Sequence, residues 1–401
     1  MQRGRAASPV TLREEVMKNL CARSSTWLSL AGLALLSASC SPPTPRDQAG
    51  GKPEVVVGAN LELSGDIAQW GLESRYGMEM AAEEIGRDPK NNFRLKLVFE
   101  DNKSEDSASK AAISKLIRQH GAKVVVGSVA SNKTTAAIDV AQEERVALVT
   151  HASTNVDITR KGGEYVFRIC FNDDVQSRVM ARYALDELKA RTAVLIVQRG
   201  NVYSEGLVDS FMRFFTEGGG KVLDTLAFQR GDTDFQTMAV RLRTADPDVV
   251  WLPGYFNEVA LIVKQARGAG FQKVFLGGDG WDEPALYTLG GPAIKDNFFC
   301  NHFDPADGSA KVQDFVRRYE NRHGKKPGAM AALGYDVIYC VADAARRAGK
   351  ADAEAIKNAL ATIKDLEVVC GRVTMGADHE VTKPIVLLKT GEKGHIFAKR
   401  L

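Results

Sequence analysis

Residues 123–150 have the sequence KVVVGSVASNKTTAAIDVAQEERVALVT, and this stretch decides the fold. The runs Val-Val-Val-Gly and Ala-Leu-Val-Thr are apolar without interruption, as expected of strands in a parallel sheet that is covered on both faces. Between them, residues 133–143 have the apolar spacing of a helix. A strand, a helix and a second strand in about 30 residues predict a βαβ unit.

The same alternation extends along the chain on both sides of this unit. The first half has predicted strands at 54–61, 95–100, 123–126 and 146–150, and predicted helices at 71–85, 107–120 and 133–143. A second unit of similar order has predicted strands at 165–170, 193–197, 222–227, 248–252 and 273–276, and predicted helices at 175–189, 205–217, 235–243 and 257–269. Beyond residue 297 come a strand, helices at 310–323, 331–348 and 353–363, and a β-rich end. This order predicts an α/β fold of two doubly wound parallel-sheet lobes, in which ligands bind outside the carboxyl ends of the strands.

Composition excludes several functional classes. The 401 residues are 44% hydrophobic, which is enough for the cores of two ordinary domains. The 53 basic and 50 acidic residues are interspersed, so we expect no nucleic-acid partner. The sequence has no Walker loop, dinucleotide glycine motif, HExxH motif or nucleophile elbow, and its six histidines lack metal spacing. We therefore expect neither an enzyme nor a bound cofactor or metal.

The N-terminal region has the pattern of an export signal. Residues 27–38 are apolar but too few to span a bilayer, and Lys18 and Arg23 supply the positive flank of a signal peptide. The apolar run ends at LSASC, residues 36–40, which resembles the bacterial lipobox although serine stands where leucine is usual. We expect a signal peptide at 1–39 and lipidation of Cys40.

The composition after the lipobox predicts a flexible tether, and export would place the cysteines of the folded body in an oxidising compartment. The segment 40–52 is rich in Ser, Pro and Gly and is typical of a flexible linker between a membrane anchor and a folded body. Export leaves four cysteines in the folded body, which allow three pairings: Cys170, Cys300, Cys340 and Cys370. They are either buried thiols or form one or two disulfides.

The segments that follow the predicted strands carry a family resemblance. The run GANLELSGDIAQWG, residues 58–71, closely resembles the opening motif of the branched-chain amino-acid-binding family of ABC transporter receptors. Residues 126–131 and 151–155 look like the carboxylate-binding loops of that family. The remaining similar loops are YSEG at 203–206, LPGY at 252–255 and GGDGWD at 277–282.

This resemblance implies the type I periplasmic-binding fold, in which three crossovers join two lobes. We expect one lobe at 53–169 plus 301–371, and the other at 170–300 plus 372–401. The implied function is that of an extracytoplasmic solute receptor that delivers its ligand to a membrane permease. The receptor would be a lipid-anchored protein of the periplasm or cell surface.

The resemblance also implies a ligand site for a small amino acid. Both charges of such a ligand need partners once the cleft closes and excludes water. The expected carboxylate site comprises Ser131, Ala152, Ser153 and Thr154. Asp279 would bind the ammonium through a charge-assisted hydrogen bond. The expected aromatic walls are Trp70, Tyr203 and Tyr255.

Each of these residues has a structural alternative. Ser131 could cap the following helix, Asp279 could be a turn residue, and Trp70 could cover the first helix. His151 stands where the family commonly has proline, and we expect a tolerated edge residue there.

Two other functions remain open from the sequence. A ligand sensor on the same fold would have the same binding lobes. A receptor for urea, short amides or aromatic acids would differ in its need for the Asp279 carboxylate.

Overall fold

The computed structural model describes residues 52–401. The predicted signal peptide, the lipidation site Cys40 and all of the predicted tether except residue 52 lie outside the described residues. None of the helices in the described range is long and apolar enough to cross a membrane.

Strands and helices alternate along most of the described chain. The strands are β1 Glu54–Leu61, β2 Arg94–Asp101, β3 Val124–Gly127, β4 Ala147–Thr150, β5 Val166–Arg168, β6 Thr192–Gln198, β7 Lys221–Phe228, β8 Val249–Trp251, β9 Val274–Gly277, β10 Phe298–Asn301, β11 Leu366–Val368, β12 Gly371–Val373, β13 Val386–Thr390 and β14 His395–Arg400. The helices are α1 Ala68–Arg87, α2 Asp106–Arg118, α3 Ser131–Glu144, α4 Asp157–Gly162, α5 Asp173–Arg182, α6 Val202–Glu217, α7 Gln236–Ala245, α8 Phe256–Gly268, α9 Pro284–Gly290, α10 Ala310–His323, α11 Ala329–Ala348 and α12 Ala353–Leu360.

Two sheets of the same topology form the two lobes. The first sheet has the order β2-β1-β3-β4-β5, and all of its pairs are parallel. The second contains β7-β6-β8-β9-β10 in the equivalent order and extends beyond β10 through the antiparallel strands β13 and β14. The predicted doubly wound α/β fold is therefore confirmed, with an antiparallel edge that the pattern did not specify.

Continuous apolar runs place the central strands inside the lobes. Residues 124–126 of β3 are fully buried, and so are alternate residues of β1 from Val55 to Leu61. Each such side chain stabilises the fold by about 1.5–3 kcal/mol relative to an exposed one. β-branched valine also suits the pleated backbone, which explains why these short segments become strands rather than helices.

The chain returns to the first lobe after β10, where α11 packs against α1. Backbone contact at this crossing depends on glycine. A Cβ at Gly77 of α1 would lie 1.9 Å from the carbonyl oxygen of Ala331 in α11. A Cβ at Gly334 would lie 2.3 Å from the Ser74 oxygen. The two helices therefore approach more closely than side chains would permit.

Some boundaries differ from the sequence-based predictions. The helix predicted at 175–189 begins at Asp173, because Asn172 accepts a hydrogen bond from the Val175 amide as an N-cap, and it continues as a π turn at Tyr183–Glu187. The short helices α4 and α9 were not predicted, since seven residues or fewer give little periodic signal.

All four cysteines of the folded body are free and buried, which favours buried thiols over disulfides.

Replacing Gly77 with alanine should destabilise the protein, since the new methyl group forces α1 away from α11. We expect a loss of about 2–3 kcal/mol in the free energy of unfolding, measured by urea denaturation. Gly86→Ala in the same helix is the matched control, because nothing lies within 4 Å of its Cβ position. That variant should gain up to about 1 kcal/mol from helix propensity. Equal stabilities of the two variants would contradict the close helix crossing.

Candidate functional site

A small cavity lies where the carboxyl ends of the two parallel sheets face each other. Its volume is about 20 Å³, which is room for roughly one water molecule. The lining residues are Trp70, Val129, Ala130, Ser131, Ala152, Thr154, Tyr203, Tyr255, Asp279, Gly280 and Met330. Seven of the eight residues expected from the sequence therefore meet in one cavity, and the eighth, Ser153, does not line it.

The first lobe contributes a buried hydroxyl whose hydrogen-bonding capacity is not used up. Within residues 52–401 the Thr154 hydroxyl makes no hydrogen bond of good geometry, although it lies close enough to the Asp173 carboxyl to lower the pKa of that group. Ser131, which lines the same cavity, is the first residue of α3 rather than its cap. Its hydroxyl accepts a hydrogen bond from the backbone N–H of Asn155. This end of the cavity thus combines a buried hydroxyl with a helix N-terminus, where backbone N–H groups favour an anion.

Ser153 fixes the loop instead of facing the cavity. Its hydroxyl lies 2.9 Å from the Val129 oxygen and 2.7 Å from the Thr134 hydroxyl. Its backbone N–H donates to the Thr150 hydroxyl. These contacts connect the loop after β4 to the loop after β3, so Ser153 positions the cavity residues on either side of it.

Two charged residues not assigned from the sequence support the same loops. Glu62 is fully buried and accepts hydrogen bonds from the backbone N–H groups of Val129 and Ala130, each at 3.1 Å. Burial raises the pKa of Glu62 above its usual value, although the backbone donors oppose this shift. Arg168 is also fully buried and donates to the carbonyl oxygens of Ser153 and Asn155. A charged residue within a buried strand was the only sequence signal for Arg168.

The second lobe contributes Asp279 with two partners. The Tyr203 hydroxyl donates to Oδ1 at 2.9 Å, and Nε2 of His302 lies 3.0 Å from Oδ2. The Gly280 amide in turn donates to the Tyr203 oxygen. Asp279 is only 4% exposed, so its carboxylate depends on these contacts and on whatever enters the cavity. The contribution of His302 could not be expected from the sequence, because 23 residues separate it from Asp279.

Titratable groups around Asp279 are mostly neutral. Burial, together with the negative charge of Asp279, raises the pKa of Asp173 to about 8, so this carboxyl carries a proton at neutral pH in most molecules. Burial lowers the pKa of His151 to about 3, and its Nε2 lies 2.9 Å from the Ser74 hydroxyl. The prediction of His151 as an edge residue is wrong, since the side chain is fully buried against α1.

Three aromatic rings form the wall between the two polar ends. Tyr255 packs edge-on against Trp70 at 5.1 Å and stacks on Tyr203 at 5.4 Å. The Trp70 indole N–H donates across the cleft to the Asp282 oxygen at 3.0 Å. Trp70 therefore lines the cavity, as expected of a wall residue, and also connects the lobes, a role that the sequence did not predict. Trp281 is fully buried and donates to the Leu252 oxygen, as expected of a packing residue.

Known proteins share this architecture over nearly the whole folded body. A Leu/Ile/Val-binding protein homologue of Brucella melitensis is 28% identical over 354 residues, covering 88% of this chain and 95% of the relative. A leucine-binding protein from Thermotoga maritima superposes with a TM-score of 0.82 at 32% identity, covering 86% of this chain and 98% of the other. A branched-chain amino-acid transporter substrate-binding protein from Streptococcus pneumoniae, solved with isoleucine, has the same TM-score at 30% identity, with coverages of 87% and 99%.

The family relationship rests on a match that spans both lobes and includes every loop that lines the cavity. The match to the periplasmic binding protein family extends over residues 54–395. It confirms the resemblance first noted in the loops after the strands. The chain belongs to the periplasmic binding protein family.

Proposed function

We propose that this chain is the extracytoplasmic receptor of an ABC importer and closes its two lobes around a small L-amino acid. The observation that carries the proposal is the pair of polar groups that line one cavity: the buried Thr154 hydroxyl from the first lobe, which has no well-formed hydrogen bond within residues 52–401, and the Asp279 carboxylate from the second. An α-amino acid has the two complementary charges. The amino-acid-binding relatives support the same ligand class.

The ligand carboxylate would bind at the first lobe. The Thr154 hydroxyl can donate to it, because within the described residues its contact with the Asp173 carboxyl falls short of a well-formed hydrogen bond. The N-terminus of α3 beside Ser131 supplies partial positive charge. The Ala152 backbone completes this end of the cavity, while Ser153 orients the loop.

The ligand ammonium would bind Asp279. A carboxylate can accept about four hydrogen bonds, and Tyr203 and His302 occupy one on each oxygen. An ammonium bound at the remaining positions would compensate a charge that is otherwise buried.

A ligand that contacts both lobes stabilises the closed state selectively. We propose that the chain bends where the predicted lobes meet, near residues 169/170, 300/301 and 371/372. The open state would then expose Thr154 and Asp279 separately, and neither lobe alone would compensate both ligand charges.

The ligand side chain would lie among the aromatic rings. The cavity of about 20 Å³ is too small for a branched side chain, so binding requires the wall to move. Met330 at the start of α11 is suited to this, because its unbranched side chain adapts its shape readily. We propose a branched-chain or related aliphatic or aromatic amino acid.

The alternatives fit the Asp279 site less well. A neutral amide or an aromatic acid would leave the buried carboxylate without a positive partner. A solved relative with bound benzoate is only 21% identical, and that similarity concerns the fold.

A ligand sensor is the other alternative; it would bind the same ligand but would signal instead of delivering the ligand to a permease. We propose transport without catalysis, with a lipid anchor at Cys40 that would keep the receptor near its permease.

Asp279→Asn should abolish most amino-acid affinity, because the amide cannot compensate an ammonium charge. We expect calorimetry with L-leucine to show a loss of about 100-fold. Binding of 4-methylpentanoate, which lacks only the ammonium, should not weaken, because the substitution removes a negative charge for which this ligand supplies no positive partner. Asp186→Asn removes the same charge from an exposed position of the second lobe and is the control. Unchanged L-leucine affinity in Asp279→Asn would contradict the ammonium site.

An ion pair on the rim of the cleft also connects the lobes. Arg230, after β7, donates from Nε and Nη2 to the two carboxylate oxygens of Asp66, after β1, at 2.7 and 2.8 Å. Both side chains are partly exposed, at 45% and 39%, so the pair contributes at most about 1 kcal/mol. Because its two members lie on different lobes, opening of the cleft would separate them.

Arg230→Gln should therefore weaken every ligand by the same factor of about two to five, since it destabilises the closed state without touching the cavity. The loss should shrink at high salt. Arg213→Gln is the matched control, because Arg213 pairs with Asp174 inside the second lobe at 2.9 Å. Calorimetry at two salt concentrations measures both effects. Different factors for different ligands would show that Arg230 acts on the ligand itself.

A further inference from the structure

His302 lies at the junction between the ligand site and the chain segments that join the lobes. It follows β10 directly, on the segment that leads back to α10 in the first lobe. Its ring is 2% exposed and stacks on Phe171, with ring centroids 3.7 Å apart. Phe171 belongs to the earlier connection between β5 and α5. Two of the connecting segments are thus in contact through this ring.

The imidazole restricts the Asp279 carboxylate from the side that faces the core. Nε2 of His302 lies 3.0 Å from Oδ2, while the Tyr203 hydroxyl donates to Oδ1. The Asp279 backbone N–H donates to Gln176 Oε1 at 3.3 Å. With both oxygens and the backbone constrained, the remaining lone pairs of the carboxylate point toward the cavity that Asp279 lines.

The second ring nitrogen of His302, Nδ1, indicates the protonation state of the imidazole. Nδ1 of His302 is buried and has no hydrogen-bond partner in residues 52–401. An imidazolium would carry an N–H on that nitrogen, and a buried charged donor without an acceptor is costly. A neutral ring with its proton on Nε2 donates to Asp279 and leaves only a weak acceptor unpaired.

We propose that His302 is a positioning residue for the ligand ammonium, acting as a neutral Nε2–H donor that orients Asp279 and leaves its negative charge for the ligand. This inference rests on the proposed function and specifies the source of its selectivity. Burial raises the pKa of the nearby Asp173 to about 8 and lowers the pKa of His151 to about 3, so at pH 7 neither neighbour brings a compensating positive charge to the Asp279 carboxylate. A positively charged His302 would instead cancel that charge, and the cavity would favour a neutral or anionic ligand.

Two substitutions separate the hydrogen bond from the packing of the ring. His302→Phe keeps an aromatic ring against Phe171 but has no donor for Asp279. His302→Gln places an amide N–H₂ near the position of Nε2 and restores the donor. L-leucine and L-phenylalanine serve as ligands, and 4-methylpentanoate and 3-phenylpropanoate are the same molecules without the ammonium.

We expect calorimetry to show a loss of about 10- to 100-fold in affinity of His302→Phe for the two amino acids, because Asp279 loses a buried charge-assisted hydrogen bond. His302→Gln should recover most of this loss. Affinities for the two acids without ammonium should stay within about threefold in both variants, since the carboxylate end is unchanged. A merely structural role would weaken all four compounds together, and that result would overturn the proposal.

The wild-type protein provides a measurement that does not depend on folding of a variant. Nitrogen-15 NMR of the imidazole at pH 7 distinguishes the neutral Nε2–H form from the imidazolium. We expect the neutral form with and without L-leucine, and an imidazolium would overturn the proposal. Failure of the proposed function would look different, because the wild type would then bind the acids without ammonium as tightly as the amino acids.

Discussion

A carboxylate removed from water must find compensating groups, and in this protein that requirement connects the ligand site to the rest of the fold. Asp279 is almost fully buried on the second lobe and receives hydrogen bonds from Tyr203 and His302. Neither partner needs a positive charge to make its hydrogen bond, and a carboxylate held in this way is a strong acceptor for a cation. The same burial that would make an unpaired Asp279 costly therefore makes a ligand with an ammonium favourable.

The opposite end of the cavity uses neutral donors. The Thr154 hydroxyl and the N-terminus of α3 line the same space, so an anion bound there would be stabilised by dipoles rather than by a cationic side chain. Buried groups behind the cavity keep this surface in place: Arg168 binds the loop after β4, and Glu62 binds the loop after β3. In the proposed function one lobe presents neutral donors and the other the Asp279 carboxylate, so a zwitterion that spans the cleft would have both of its charges paired.

The architecture explains why such different groups converge. Both sheets have the same strand order, so the loops after β3 and β4 face those after β6, β8 and β9 across the cleft. Direct contacts then close the space, including the Trp70 bond to Asp282 and the ion pair between Arg230 and Asp66. Because these contacts are individually weak, ligand binding can still govern opening and closing.

The sequence by itself determined the doubly wound fold, because uninterrupted apolar strands such as Val124–Val126 and periodic helices are local patterns. Parallel strands bring the loops after them to one edge, and the resemblance of those loops to a known family then predicted seven of the residues that line the cavity. Only the tertiary structure decided that Ser153 fixes a loop, that His151 is buried, and that His302 and Arg168 support the site. Those roles depend on hydrogen bonds between residues distant in sequence, and burial and partner geometry leave no periodic trace along the chain.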